Sequence, residues 1–395
     1  MRTCHSVEMT RPLGQLGKDM AEKERTITFI VTKDCQLVCK YCYLVGKNAN
    51  ERMSFDIAKR AIDKLTEDPN LFNEPSVVWD FIGGEPLLEI DLIKSIVDYA
   101  ESRLTEINHP WQNHFGIRIT TNGLLYDSIK VQDFISQYHD ILNISISIDG
   151  NKDKQDLNRI FPNGKGSYDI VARNVKKWVN QFDNVATKMV ISSEDLPFVK
   201  DSAIHLLELG IRRLDMNLVV EDVWKDGDDV ILEQQLTEFA DYVIAHNLYE
   251  GRELYIFEDS IGHPFNPEFE SNPCGSMMLA IDSKGMFYTC PRYAKYSLRE
   301  KEPRFIGDIE HGINKNLIRP FYTIDEVSQS PSKCKKCDVA TGCRWCPAEN
   351  YDASASVTIF ERSTAICKMH KARVRAKNYY YYRLYCTENE SVWKI

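Results

Sequence analysis

Asp34-Cys35-Gln36-Leu37-Val38-Cys39-Lys40-Tyr41-Cys42-Tyr43 directly follows an apolar, β-branched run, TITFIVT at 26–32. A strand feeding a loop delivers the three thiols, separated by three and then two residues, to one point in space. Four-iron clusters are ordinarily held by four cysteine thiolates, so three leave one iron with an open coordination position for a small molecule. A closed zinc site wants four ligands in paired spacing, and after Cys42 no further Cys or His occurs until His109. The loop therefore reads as a cluster-binding loop; a reduced thiol loop or part of a zinc site is the alternative.

Cys-x3-Cys-x-aromatic-Cys behind a first strand resembles the signature of the radical S-adenosylmethionine enzymes, with Cys35, Cys39, Tyr41 and Cys42 in register. The resemblance implies a [4Fe-4S] cluster on Cys35, Cys39 and Cys42, whose unique iron chelates the amino and carboxylate groups of S-adenosyl-L-methionine. It also implies the chemistry: one electron cleaves that molecule to methionine and a 5'-deoxyadenosyl radical.

The 395 residues allow two or three domains and a sizeable core. A content of 43% hydrophobic and 27% charged residues is that of an ordinary globular protein. No window approaches about 18 uninterrupted apolar residues, and the opening MRTCHSVEMTRPLG lacks the apolar core of a secretion signal. The expectation is a cytoplasmic protein with no membrane partner. A net charge of −9 argues against a nucleic-acid partner. Eight of the twelve cysteines fall between Cys274 and Cys386, and grouped cysteines among reduced thiols hold metal more often than they form disulfides.

From 25 to 249 the pattern alternates. Candidate strands are 26–32, 77–82, 117–121, 142–148, 186–192 and 214–220. Candidate helices are 54–65, with Ser54 as N-cap, and 91–104, 130–138, 168–179, 198–209 and 229–249. Six β-α units imply an α/β fold with a parallel sheet and right-handed crossovers. Repetition alone does not separate a partial barrel from an open doubly wound sheet. The resemblance implies the former, a partial (β/α)6 TIM-like barrel.

The notable motifs fall where parallel α/β folds place their sites, at the carboxyl ends of strands. Gly83-Gly84-Glu85-Pro86 follows the second strand: glycines permit close backbone approach and Glu85 offers an acceptor for a cationic amine. Thr120-Thr121-Asn122-Gly123 ends the third, Ser145-Ile146-Ser147-Ile148-Asp149-Gly150 the fourth, and Arg159 brings a fork suited to a carboxylate. By the resemblance, Gly83, Gly84 and Glu85 meet the methionine amino group, Asn122 and Ser147 the ribose, and Arg159 the methionine carboxylate. Tyr41 shields the cluster or packs on adenine. Nothing is assigned at the ends of strands five and six.

Residues 1–24 read as an arm and 250–273, with three prolines, as a linker. Beyond it lie Cys274, Gly285-x4-Cys290, Cys334-x2-Cys337-x5-Cys343-x2-Cys346 and Cys367, with a hairpin signal at Asp282-Ser283-Lys284-Gly285. This order resembles the SPASM extension of peptide-modifying radical S-adenosylmethionine enzymes, which implies a small iron-sulfur domain over 274–370 with two auxiliary [4Fe-4S] clusters, three clusters in all. By the family's ligation, Cys334, Cys337, Cys343 and Cys367 close one cluster, while Cys274, Cys290 and Cys346 reach the other. Cys386, water or a substrate thiolate completes the latter. The last pair is separated by two residues, Arg344-Trp345, where the family has three. Two zinc sites are the alternative reading. The basic, tyrosine-rich tail, 371–395, reads as a helix packed on the barrel with a solvated basic face, or as a surface for an acidic leader peptide.

The resemblance implies a peptide maturase that abstracts a hydrogen from a ribosomally made precursor peptide and forms a cross-link, foremost a cysteine thioether. An electron donor such as flavodoxin or ferredoxin is implied. The rivals are an anaerobic sulfatase-maturing, formylglycine-forming enzyme, a peptide epimerase and, from another class, a non-catalytic zinc-binding module. In the sulfatase-maturing group an aspartate follows the hairpin cysteine, whereas Pro291 and Arg292 follow Cys290 here.

Overall fold

The computed structural model describes residues 24–265, 278–299, 301–353 and 358–386. Six parallel strands carry the fold: β1 (Glu24–Thr32), β2 (Ser76–Gly83), β3 (Phe115–Thr121), β4 (Leu142–Ile146), β5 (Ala186–Ile191) and β6 (Arg213–Leu218). Helices α1 (Phe55–Thr66), α2 (Ile90–Glu106), α3 (Ile129–Tyr138), α4 (Lys152–Asn158), α5 (Tyr168–Gln181), α6 (Val199–Glu208) and α7 (Asp228–Ala245) connect and follow them. Ser54 caps α1 as its sequence position suggests, accepting the Ile57 N–H at 3.2 Å. Strands covered on both faces read as near-continuous apolar runs. In β1 this holds literally, with Ile27, Phe29, Ile30 and Val31 all buried.

The fold is mixed α/β with a parallel core, as the alternation requires, but the ladder is not continuous. Strands β1 to β4 pair in sequence order, and β5 and β6 pair with a two-residue β7 (Glu253–Leu254) in a second sheet. The seam between β4 and β5 is bridged by side chains. Thr187 Oγ1 donates to the Ile146 carbonyl at 2.7 Å, and Asp149 Oδ1 accepts the Val190 N–H at 3.2 Å.

The Cys-rich region joins the same sheet from the other edge. Strand β8 (Met278–Ile281) pairs in parallel with β1, from Thr26 opposite Met278 to Phe29 opposite Ile281. It turns back through Asp282 to Gly285 into β9 (Met286–Tyr288), the expected hairpin. Then come β10 (Phe305–Asp308), β11 (Gly312–Ile313) and the helices α8 (Lys315–Tyr322), α9 (Glu326–Gln329), α10 (Ser332–Lys335), α11 (Pro347–Ala353) and α12 (Cys367–Cys386).

Helix α12 runs unbroken across position 370 and packs on α7. Its basic face is not simply solvated, unlike the sequence expectation. Arg373 Nε and Lys377 Nζ turn inward to the carbonyls of Ile256 and Ile261, at 3.1 and 2.9 Å. Tyr380 stacks on Phe257 with centroids 4.6 Å apart. Among the described residues no helix is long and apolar enough to cross a membrane.

Candidate active site

The thiol loop has no regular structure and is held by backbone bonds from its surroundings. Val38 N and Lys40 N donate to the carbonyls of Ile160 and Asn158 at 2.8 and 3.1 Å, and Asn48 Oδ1 accepts the Cys35 N–H at 2.9 Å. Leu37, fully buried, anchors the middle of the loop, and Cys35, Cys39 and Cys42 are each half-buried. Burial pushes the Cys35 and Cys39 thiols up, with Arg159 opposing it at Cys39.

Gly83 and Gly84 lie against the start of this loop. Gly84 N donates to the Thr32 carbonyl and Glu85 N to that of Asp34, both at 2.8 Å. A Cβ on Gly84 would sit 2.3 Å from the Asp34 carbonyl oxygen, and one on Gly83 2.4 Å from that of Thr32. No side chain fits there, so the β2 end and the cluster loop depend on glycine to meet.

Glu85 is buried beneath them. Its carboxylate accepts from Thr121 Oγ1, Asn122 N and Leu87 N at 2.6, 2.7 and 3.0 Å. Burial outweighs these donors and lifts its pKa to about 7. Glu85 thus ties β2 to the end of β3. Asn122 in turn reaches the loop, its Nδ2 donating to Gln36 Oε1 at 3.2 Å and lying 3.8 Å from Cys35 Sγ. Ser147 is half-buried on the neighbouring strand end, its N–H on the Thr121 carbonyl at 2.8 Å.

Arg159 is not free. Its Nε and Nη2 donate to Asp149 at 2.9 and 3.4 Å, its guanidinium lies 5.4 Å from the Tyr41 ring centroid, and the Tyr41 hydroxyl donates to Asp149. Burial disfavours both charges, yet Arg159 holds Asp149 below the usual carboxylate range and Asp149 holds Arg159 above its own. Asp149 therefore orients two of the residues expected at the site. Helix α4 braces them through polar groups. Its fully buried Lys154 donates to the Val190 carbonyl and to Asp195 at 2.5 and 3.2 Å, and Gln155 Oε1 accepts the Asp149 N–H at 2.8 Å.

At the ends of β5 and β6 a cavity of about 350 Å3 opens against the cluster loop. Tyr41, Cys42 and Tyr43 form one wall, Asn158 and Ser192 another, and Val219 and Val223 a third. Behind Tyr43, Arg292 is clamped between Glu221 and Glu349 at 2.6 and 2.9 Å, 4.9 Å from the Tyr43 ring centroid. Burial lifts Glu349 to about 7, and Arg292 draws Glu221 below its ordinary value against the same effect.

Farther along the chain, Cys334, Cys337, Cys343 and Cys367 line one cavity of about 90 Å3. Among the described residues, in this set as in the cluster loop, no three His, Cys, Asp or Glu side chains come close enough to hold a single metal ion. Arg362 stands beside them, donating to the Cys343 carbonyl at 2.7 Å and to Ser330 Oγ at 2.9 Å. Cys290 lies apart from that set. Burial, reinforced by neighbouring Cys346, raises its thiol to about 12. Cys274 lies outside the described residues.

Residues 29–194 match the model of the Radical SAM superfamily. The chain carries a radical SAM domain. An uncharacterised protein of Methanocaldococcus jannaschii is 31% identical over 202 residues, covering 51% of this chain and 64% of its own length. The Fe-coproporphyrin III synthase of Methanosarcina barkeri is 26% identical over 50% of this chain and 44% of its own. These matches span about half of this chain and less than two thirds of each relative's own length. A cysteine-type anaerobic sulfatase-maturating enzyme of Clostridium novyi is 24% identical over 83% of this chain and 90% of its own length.

Solved structures share the fold well beyond the radical SAM domain. Native anSMEcpe with bound AdoMet and Kp18Cys peptide superimposes with a TM-score of 0.64, at 17% identity, over 93% of this chain and 99% of that one. Streptococcus suis SuiB bound to precursor peptide SuiA gives 0.55, at 14% identity, over 92% and 84%.

The sequence reading of the radical SAM domain missed Asp149, Lys154 and the cavity at β5 and β6. Asp149 stands within the quoted Ser145 to Gly150 run, three residues past the end of β4 at Ile146, so an acidic residue leaving a buried strand is the available signal. Lys154 and Asp195, 41 residues apart, gave none.

Proposed function

We propose that this chain is a radical SAM peptide maturase, which cleaves S-adenosyl-L-methionine reductively, abstracts a hydrogen from a ribosomally made precursor peptide and closes a cross-link, foremost a cysteine thioether. One observation carries the reading: Tyr41 and Cys42 of the cluster loop form a wall of a cavity with room for a side chain. The donor set fits the cofactors. Cys35, Cys39 and Cys42 would hold the first [4Fe-4S] cluster on a loop with no fourth thiol within it, and bound S-adenosyl-L-methionine would supply the radical. Gly83, Gly84, Asn122, Ser147 and Arg159 edge the same side of the sheet.

Cys334, Cys337, Cys343 and Cys367, which line one cavity, would take the second cluster, and Cys290 and Cys346 with Cys274 would take the third, as in a SPASM domain. The residues around the loop do the protein's part. Asp149 orients Arg159 and Tyr41, Glu85 fixes the floor, and Val219 and Val223 offer the reacting side chain an apolar wall. A flavodoxin or ferredoxin would deliver the electron.

A peptide substrate is supported by the peptides bound in the two structural neighbours. The coverage of the Clostridium novyi enzyme favours sulfatase maturation as the second reading. Against it stands the Pro291-Arg292 pair after Cys290, where the resemblance implies an aspartate directly behind the hairpin cysteine in that group; Arg292 is held between two carboxylates. Mass spectrometry of a candidate Cys-containing peptide, incubated with the reduced, reconstituted enzyme, separates the outcomes. Loss of two hydrogens alone supports cross-linking; loss of two hydrogens together with exchange of sulfur for oxygen marks formylglycine; an unchanged mass with an inverted residue marks epimerisation.

A further inference from the structure

Most cations of the tail helix, where the sequence concentrates them, are engaged. Arg375 meets Glu233 at 2.6 Å, Arg383 meets Asp241, and Arg373 and Lys377 are engaged by carbonyls. The cavity beside Cys42 differs. Lys40, Lys225 and Arg299 line it, all three are exposed, and among the described residues none has a carboxylate within ion-pair distance. They arrive from separate places: the cluster loop, the loop after β6 and the segment after β9.

Two carboxylates share the lining. Glu221 is neutralised by Arg292, which leaves Glu194 as one anion against three cations. Asp222 lies on the Glu221 loop outside the lining, and Asp226 is paired with Lys368 at 3.2 Å. In a chain with 58 acidic and 49 basic residues, unpaired like charges converging on one cavity repel one another and gain from an anionic occupant.

We propose that the cavity admits a peptide segment whose reacting residue is flanked by carboxylate side chains, with Lys40, Lys225 and Arg299 as specificity-determining residues. This rests on the maturase reading. The target side chain lies along Val219 and Val223, and the flanking aspartates or glutamates meet the cations around it. A basic flank would face three like charges against the single lining carboxylate of Glu194, with Asp228 and Asp352 turned to the backbone amides of Lys225 and Arg299, so the site selects by repulsion as well as attraction.

The test titrates two fluorescein-labelled peptides of equal length against the anaerobically reconstituted full chain with S-adenosyl-L-methionine, reading anisotropy. One has a central cysteine between glutamates, the other between lysines. The acidic peptide should bind about tenfold more tightly at low salt, and the preference should shrink as salt shortens the screening length to about 3 Å near 1 M. Lys225→Glu with Arg299→Glu should invert the preference; should that double variant fail to fold, Lys225→Gln alone should reduce it by about threefold. Equal affinities, a preference for lysine, binding of neither peptide, or a preference that survives these changes would overturn the proposal. So would a single-stranded oligonucleotide competing as well as the acidic peptide. Failure of the maturase reading shows separately, as absent cleavage of S-adenosyl-L-methionine, and leaves the binding preference readable.

Discussion

The amino-terminal thiol loop is clamped by backbone: carbonyls of Ile160 and Asn158 hold its amides, and Gly83 and Gly84 press against its start. The carboxy-terminal thiols instead ride on helical pieces as short as Ser332–Lys335 and Pro347–Ala353. A loop seated on a buried parallel sheet is pre-shaped by the fold. In a region of short pieces, the proposed metal ligation would supply part of the folding energy. Each group also has one buried arginine. Arg159 faces the fully buried Asp149, whereas Arg362 faces Glu326 at 3.3 Å, whose side chain is 31% exposed. The first is a site built to one geometry; the second is set by what it binds.

That contrast breaks most visibly at Gly84. Gly84→Ala places a methyl group 2.3 Å from backbone, so the loop cannot close on β2. Iron per reconstituted chain should fall by about four, with the carboxy-terminal share retained; unchanged iron would remove the clamp from the account. Next comes Asp149→Asn, which leaves Arg159 charged and buried. Urea unfolding should show a loss of about 3–5 kcal/mol, together with weakened binding of S-adenosyl-L-methionine in calorimetry.

Arg362→Leu sharpens the comparison from the other side. Its partner Glu326 keeps access to water, so the loss should be about 2 kcal/mol, visible by the same unfolding measurement. A loss as large as that of Asp149→Asn would make the two arginines equivalent.

The smallest effect concerns Glu85. Its pKa rises from 4.5 unfolded to about 7 folded, so the folded chain binds the extra proton between these values and loses stability as pH rises through that window. Glu85→Gln should flatten the dependence, by about 1 kcal/mol between pH 6 and 7, as read by unfolding at each pH.

Much of this contrast was legible in the sequence. The thiol spacing, the glycine pair after β2 and the β8–β9 hairpin are local signals, and all six parallel strands lie within a few residues of their expected bounds. Helix α4 was not legible, because KDKQDLN has no apolar period and buries Lys154, Gln155 and Asn158 through hydrogen bonds. Nor was the pairing of β1 with β8, since strands some 250 residues apart leave no local mark. Arg159 was read as free for a ligand; its partner Asp149 could be seen only in three dimensions.

The central claim is that Cys35, Cys39 and Cys42 hold a cluster distinct from the carboxy-terminal ones and that cleavage of S-adenosyl-L-methionine depends on it. Iron, sulfide and 5'-deoxyadenosine measured together on wild type and Cys35→Ala test it most directly. The expected result is about twelve irons and product for wild type, against about eight irons and no product for the variant. Product from Cys35→Ala, or a wild type that binds zinc and no sulfide, would contradict it.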